Sequence, residues 1–304
     1  MAEAAGISGL TPSKKPRPAA VNRLADPNLT NAPLLSPETS RVIAPRSLGA
    51  VTPSKLSFGK GTTTATLLEE ACAHLIKVDP RMKRLVDAHH CRIFSPEGLA
   101  EQIDPFESLA SGIISQQVSG AAAKAIKARF VALFDEAAPT AASDGEDDAQ
   151  PTRQRFPHPS QVAATSIEKL RTAGLSQRKA EYVQGLAEKF VSGELSATML
   201  AEAPYEEVVE KLTAVRGLGR WSVEMFACFG LKRMDVFSLG DLGVQRGMAA
   251  FVGRDVAKLK GKGGKWKYMS EKEMEEISER FRPYRSLFMW YMWRVEETDI
   301  STME

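Results

Sequence analysis

Cysteine is scarce in this chain: Cys72, Cys91 and Cys228 are the three among 304 residues, widely spaced and without a Cys-x-x-Cys pair. Such spacing supports neither a zinc site nor an iron–sulfur cluster, and implies buried, reduced thiols of a cytosolic or nuclear protein. Long apolar runs are missing too, none approaching the roughly 20 residues of a membrane span. The first ten residues lack the basic start and apolar core of a secretory signal. Neither sign of charge is in excess: 40 Lys and Arg face 38 Asp and Glu, a formal +2. Bulk charge therefore does not announce a nucleic-acid binder, and any such surface must be a local patch. Histidine is limited to His74, His89, His90 and His158, with no ligand-like spacing to acids or cysteines, and we assign none a catalytic or metal role. Strand signals are nearly absent, the one short piece lying at Val236-Phe237. What is present, 43% hydrophobic and 26% charged residues, is the composition of a soluble globular protein with one large or two small domains.

Residues 1–63 are rich in Pro, Ser, Thr, Ala and basic residues and poor in aromatics. They read as a disordered arm, because too little apolar surface is available to offset chain entropy. Lys14-Lys-Pro-Arg17 reads as a nuclear import signal or DNA-tethering cluster, or equally as a solvated charge cluster. From Thr64 to about residue 300 the pattern is helical, with helices expected at 65–78, 80–90, 105–118, 120–134, 166–173, 177–192, 204–214, 220–230, 241–251, 271–281 and 284–296. Asp79-Pro80, Asp104-Pro105, Ser176 and Ser270 stand where helices start; Gly174, Gly193 and Gly230 stand where they end. Two segments break the pattern. Residues 137–159 are acidic and then proline-containing, and read as a disordered insertion. Residues 254–267 carry Lys258, Lys260, Lys262, Lys265 and Lys267 among glycines, a flexible basic loop suited to solubility or to phosphate contact. The fold class is all-α.

One stretch carries chemistry. In Val215-Arg-Gly-Leu-Gly-Arg-Trp-Ser-Val223 the glycines permit a tight turn and close approach, and the helix from Arg220 directs its unpaired N–H groups back at that turn. A phosphate can be held there without a lysine. A bare Gly-x-Gly is usually only a connector, so the flanks decide. Downstream lies a lone acid, Asp241, in Phe237-Ser-Leu-Gly-Asp241. It stands either as a catalytic carboxylate or as the N-cap of the next helix.

Four blocks in order resemble the helix-hairpin-helix (HhH-GPD) superfamily of DNA glycosylases. They are Asp104-Pro-Phe-Glu-Ser-Leu-Ala-Ser-Gly-Ile-Ile-Ser-Gln-Gln-Val-Ser119, the hairpin, Met234-Asp-Val-Phe-Ser-Leu-Gly-Asp-Leu-Gly-Val-Gln-Arg246 and Arg282-Pro-Tyr-Arg-Ser-Leu-Phe-Met-Trp-Tyr-Met-Trp293. The likeness covers about residues 65–297 apart from the insertion, and is to the 3-methyladenine (alkylation repair, type II) branch of the short eukaryotic and fungal kind. It implies a two-lobed all-α fold, a DNA cleft between the lobes, the hairpin on one side and Gln117 reaching across. Two departures stand out. Trp221 occupies the place of the lysine that glycosylase/lyase relatives use as a Schiff-base nucleophile, which implies hydrolysis without strand cleavage. Ser238-Leu-Gly240 carries no proline before the acid.

The same resemblance implies the site. Asp241 is the catalytic carboxylate, stabilising positive charge on the sugar as the N-glycosidic bond breaks and orienting or deprotonating water. Asp235 is structural, holding the loop through backbone N–H groups. Trp221 and Trp293, with Met225, line the pocket for a flipped base, since an indole face attracts a cationic alkylated purine; Trp290 and Tyr291 belong to the core. Gln117 fills the gap left in the duplex, with Gln116 in support. Gly217, Leu218, Gly219 and Arg220 contact DNA. Backbone carbonyls of Thr213, Val215 and Leu218 are the implied ligands of a monovalent cation, Na⁺ or K⁺, and no other cofactor is required. The expected partner is duplex DNA with alkylated purines such as 3-methyladenine or 7-methylguanine. The protein is expected to be a nuclear monomer that does not associate with membranes. Rival readings are a glycosylase for neutral deaminated or oxidised bases, and a non-catalytic DNA-damage-binding module.

Overall fold

Apolar side chains at helical spacing dictate fifteen short α-helices among the described residues, and polar caps set where most of them begin. The computed structural model describes residues 22–43, 61–135, 155–261 and 263–295. A two-residue hairpin pairs β1 (Leu34–Leu35) with β2 (Val42–Ile43), antiparallel, Leu34 opposite Ile43. The helices are α1 (Leu67–Val78), α2 (Met82–Ala88), α3 (Pro96–Leu99), α4 (Pro105–Ser115), α5 (Gly120–Ala132), α6 (Pro159–Ala163), α7 (Ile167–Thr172) and α8 (Gln177–Val191). Then come α9 (Ala197–Glu202), α10 (Tyr205–Thr213), α11 (Arg220–Met225), α12 (Leu242–Phe251), α13 (Val256–Lys260), α14 (Glu271–Glu279) and α15 (Arg285–Met292).

The helices bury two apolar clusters. One joins α4 to α10 through Phe106, Ile113, Phe130, Val183, Phe190 and Leu212, and takes in Val215 and Leu218 of the hairpin. The other joins α1, α2, α12, α14 and α15 through Leu75, Met82, Val244, Met248, Phe281 and Phe288. The helix after the hairpin crosses from one to the other. Val223 and Phe226 belong to the first cluster, Ala227 and Cys228 to the second. Its last turn, Phe226–Gly230, is π-helical, and Leu231 N–H closes on Phe226 O. π-Turns inside helices concentrate at functional sites. Where α12 meets α15, a Cβ on Gly247 would lie 1.8 Å from the Met292 carbonyl oxygen, so glycine is what lets those two helices meet.

Several expectations need correction. The arm at 1–63 is not disordered throughout, because residues 22–43 are folded onto both lobes. Thr30 Oγ1 donates to Leu200 O (2.9 Å) in one lobe, and Arg23 donates to Leu99 O (2.7 Å) in the other. Asn31 is 1% exposed, and its side-chain amide donates to the carbonyls of Asp26, Leu29 and Lys232. This strap is held by side-chain-to-backbone bonds, which leave no trace in hydropathy. Residues 1–21, with Lys14–Arg17, and residues 44–60 lie outside the described residues. Of the insertion at 137–159, residues 137–154 also lie outside them. Its end is ordered: Phe156 packs edge-on against Phe106 (5.7 Å between ring centres), and Pro159 opens α6. The basic loop at 254–267 contains α13, capped by Asp255, which accepts from Lys258 N–H; Lys262 lies outside the described residues. Val236-Phe237 is irregular rather than a strand, its Val236 N–H taken by Ser286 Oγ (2.9 Å). Asp79 does not start a helix at Pro80. Its carboxylate is drawn to Arg81, and α2 begins at Met82.

Candidate functional site

The hairpin between α10 and α11 turns at Gly217, whose φ of 94° lies in the left-handed region that L side chains avoid. A Cβ there would also meet the Tyr182 ring at 2.4 Å. Gly217→Ala is therefore expected to destabilise the fold by about 1 kcal/mol from the backbone conformation alone, and by more as Tyr182 is displaced. Chemical denaturation of the two proteins measures it. Gly219 has an ordinary φ of −79°, and a Cβ on it would meet nothing within 4 Å, so its role is open space. The N-terminus of α11 has no side-chain cap, which leaves the N–H groups of Arg220, Trp221 and Ser222 directed into that space.

Gln117 does not reach across from the far lobe. It lies in the turn just beyond α4 with a φ of 56°, and the helix stops at Ser115 rather than at 118 because the backbone is already extended at Gln116. Gln116 Nε2 donates to Gly217 O (2.8 Å), and Lys179 Nζ donates to the carbonyls of Ile114 and Gln116 (2.8 and 2.6 Å). The turn bearing exposed Gln117 is thus clamped beside the hairpin, on the same lobe.

Asp241 comes from the other lobe, at the start of α12, and is 8% exposed. Its Oδ1 accepts Val244 N–H (2.8 Å), so the carboxylate does cap its helix. The same Oδ1 accepts Trp293 Nε1–H (3.0 Å), and Oδ2 accepts Trp221 Nε1–H (2.6 Å). The capping role is thus realised, and it uses only one of the two carboxylate oxygens. Three donors occupy three of about four lone-pair directions of the carboxylate, leaving one on Oδ2. Trp221 is 52% exposed and covers the acid from the hairpin side. Trp293 is half-buried against Phe229, ring centres 5.6 Å apart, with Phe229 supplied by the π-turn. Met225 is half-buried against the second cluster. The structure thus brings Asp241, Trp221 and Trp293 together through direct bonds. Gly243 completes the wall, since a Cβ on it would sit 2.9 Å from the Trp293 ring and 3.2 Å from Asp241 Oδ1. Trp290 and Tyr291 are core residues, 6% and 1% exposed.

Two further acids frame this centre. Asp235 does support the loop, but through arginines rather than backbone N–H groups: Arg282 and Arg285 each approach its carboxylate at 2.6 Å. Glu224 is a residue that sequence reasoning misses. It is 4% exposed, accepts Arg220 Nε–H (2.9 Å) on Oε1, and accepts Ser238 Oγ–H (2.6 Å) on Oε2. It therefore links the hairpin arginine to the loop that carries Asp241. Its charge is felt nearby: burial first, and then Glu224, push the Tyr205 hydroxyl up to about 12. A charged residue on an otherwise apolar helix turn, Val223-Glu224-Met225-Phe226, is the signal that could have found it.

Residues 110–262 match the HhH-GPD superfamily of base excision DNA repair proteins. The chain is 35% identical over 253 residues to the DNA-3-methyladenine glycosylase of Saccharomyces cerevisiae, covering 77% of this chain and 81% of that protein. The crystal structure of a Bacillus halodurans DNA-3-methyladenine glycosidase superposes with a TM-score of 0.56 at 30% identity, over 76% of this chain and 91% of that one. The Schizosaccharomyces pombe 3-methyladenine DNA glycosylase in complex with abasic DNA gives 0.53 at 28% identity, over 74% and 95%. With hairpin, clamped turn and tryptophan-held aspartate in one fold, this chain belongs to the HhH-GPD superfamily, in the branch of the 3-methyladenine DNA glycosylases.

Proposed function

We propose that the protein is a monofunctional DNA glycosylase, an N-glycosyl hydrolase of type II, that releases alkylated purines from duplex DNA. The observation that carries this reading is Asp241, whose side chain accepts from two indole N–H groups and a helix N-terminus at the junction of the lobes. As the bond from C1′ to the base nitrogen lengthens, positive charge grows on the sugar, and a fixed carboxylate stabilises it. Water adds to C1′ and gives up a proton, and the electrons of the broken bond leave with the base. A 3-methyl- or 7-methylpurine is cationic and departs neutral, so no second acid is needed to protonate it. Trp221 and Trp293 offer the π surfaces for such a base. The hairpin N–H groups and Arg220 hold a phosphate, and Gln117, presented by the clamped turn, fills the vacated stack.

Trp221 stands where a lyase carries its lysine, which supports hydrolysis alone. Methylated duplex DNA incubated with the protein should yield free methylpurines and an intact strand that breaks only on alkali treatment. Strand nicking without alkali contradicts the monofunctional reading, and binding without release contradicts the enzyme. The carbonyls of Thr213, Val215 and Leu218 suit a monovalent cation. They are uncharged hard donors, and Val215 O, which accepts Leu218 N–H (3.1 Å), keeps a lone pair; a bound cation there would add positive charge facing the phosphate. We assign the protein to the nucleus, acting as a monomer, on its DNA chemistry and its Lys14–Arg17 cluster.

A further inference from the structure

A chain with a formal charge of only +2 must meet DNA through a local patch, and the hairpin supplies few cations for one. The hairpin supplies two arginines, Arg216, 5.8 Å from the Tyr182 ring centre, and Arg220, whose charge is partly offset by Glu224, while Lys179 beside it donates to backbone carbonyls. The densest described run of lysines lies elsewhere, around Lys258, Lys260, Lys265 and Lys267, where Asp255 is the one acid between Arg254 and Tyr268.

This segment is built onto the helix that bears Asp241. Gln245, 1% exposed, stands one turn beyond Asp241 on α12, about 6 Å along the axis. Both ends of its amide are committed: Nε2 donates to Lys265 O (3.1 Å), and Oε1 accepts Tyr268 N–H (3.2 Å). The backbone at 265–268 is thereby pinned to the turn of α12 that follows the acid. Lysines and aromatics alternate there. Lys265 Nζ lies 4.7 Å from the Trp266 ring centre and Lys267 Nζ 5.0 Å from that of Tyr268. A ring contact of this kind leaves the ammonium charged. Nearby acids are engaged elsewhere, Asp255 with Lys258 and Glu273 with Arg254. Lys260 and Lys265 are exposed, and Lys267 is half-exposed.

We propose that Lys260, Lys265 and Lys267 form a second contact with the phosphate backbone of duplex DNA, with Lys265 and Lys267 set by Gln245 at a fixed distance from Asp241. The inference rests on the protein being a DNA enzyme. Its role is to fix register along the duplex by sequence-independent charge.

The test is the salt dependence of binding to undamaged duplex DNA, followed by fluorescence anisotropy. The variant is Lys260→Gln/Lys265→Gln/Lys267→Gln in the full chain. The control, Lys83→Gln/Lys189→Gln/Lys272→Gln, removes the same charge from other surfaces. Each lysine–phosphate pair removed should lower the slope of log K against log salt by about 0.9, so a fall of about 2 to 3 is expected for the loop variant. The control should keep the wild-type slope, and both variants should keep the wild-type melting temperature. An unchanged slope in the loop variant overturns the proposal, and so does an equal fall in both variants, which reports net charge alone. Wild-type protein that binds with a steep slope but frees no methylpurine refutes the glycosylase reading and leaves this contact standing.

Discussion

Asp241→Asn should abolish release of methylated purines, lowering the single-turnover rate by about 10³-fold or more, while binding to duplex DNA persists. The substitution separates the three bonds that the carboxylate makes. Asparagine is as good an N-cap as aspartate, so Oδ1 continues to accept Val244 N–H and α12 keeps its start. The Trp293 bond to the same oxygen also survives. Two things are lost. The negative charge that stabilises the cationic sugar disappears, and the new amide N–H₂ faces Trp221 Nε1–H, donor against donor, where Oδ2 now accepts at 2.6 Å. Catalysis should therefore fall far more than stability, with the loss in kcat rather than in DNA affinity. Asp241→Ala provides the contrast, since it also removes the cap and should cost about 1 kcal/mol in addition. Base release quantified beside anisotropy on the same DNA checks both. Near-wild-type excision by Asp241→Asn would remove this residue from the chemistry.

The helices at the centre of each lobe are legible in the sequence because burial imposes period 3.6, and α8, α10, α12 and α14 lie within two residues of where that pattern puts them. Most of the shortest helices are not legible, although α7, six residues long, is. α3, α6, α9 and α13 are each six residues or fewer, too short for a periodicity to register. The strap at 22–43 is invisible for a different reason: it is fixed by Asn31, Thr30 and Arg23 bonding to carbonyls distant in sequence. At the site, block order tells which residues belong together, and Asp241, Trp221 and Trp293 do meet. Their bonds cannot be read the same way. That the two indoles donate to the aspartate depends on side-chain orientation across three helices. Placing Gln117 on the hairpin's own lobe depends on one amide reaching Gly217 O.

Glu224→Ala is expected to damage both stability and rate, because this buried carboxylate links the hairpin arginine to the loop that carries Asp241. Its removal leaves the Ser238 hydroxyl without an acceptor at a site that excludes water, and leaves a cavity where the side chain packed. Together these should cost about 2–4 kcal/mol. The consequence for rate follows from where Ser238 sits. It begins the turn Ser238-Leu-Gly-Asp241, and Asp241 N–H closes that turn on Ser238 O. Freed from Glu224, the turn can shift the carboxylate relative to the sugar, and a misplacement of about 1 Å costs on the order of 10²-fold in rate. At the other oxygen, Arg220 has 73% of its side chain in solvent but is anchored through Nε, which holds its remaining N–H groups outward for a phosphate. Glu224→Gln separates the two effects. The amide oxygen can accept from Arg220 and the amide N–H₂ can donate to Ser238, so packing and most of the stability should return. Excision should recover only in part, since a neutral partner orients the guanidinium less firmly than a carboxylate. Thermal unfolding and single-turnover excision of the two variants test this ordering. A Glu224→Ala protein that melts and excises like wild type would show that the link from hairpin to acid carries nothing.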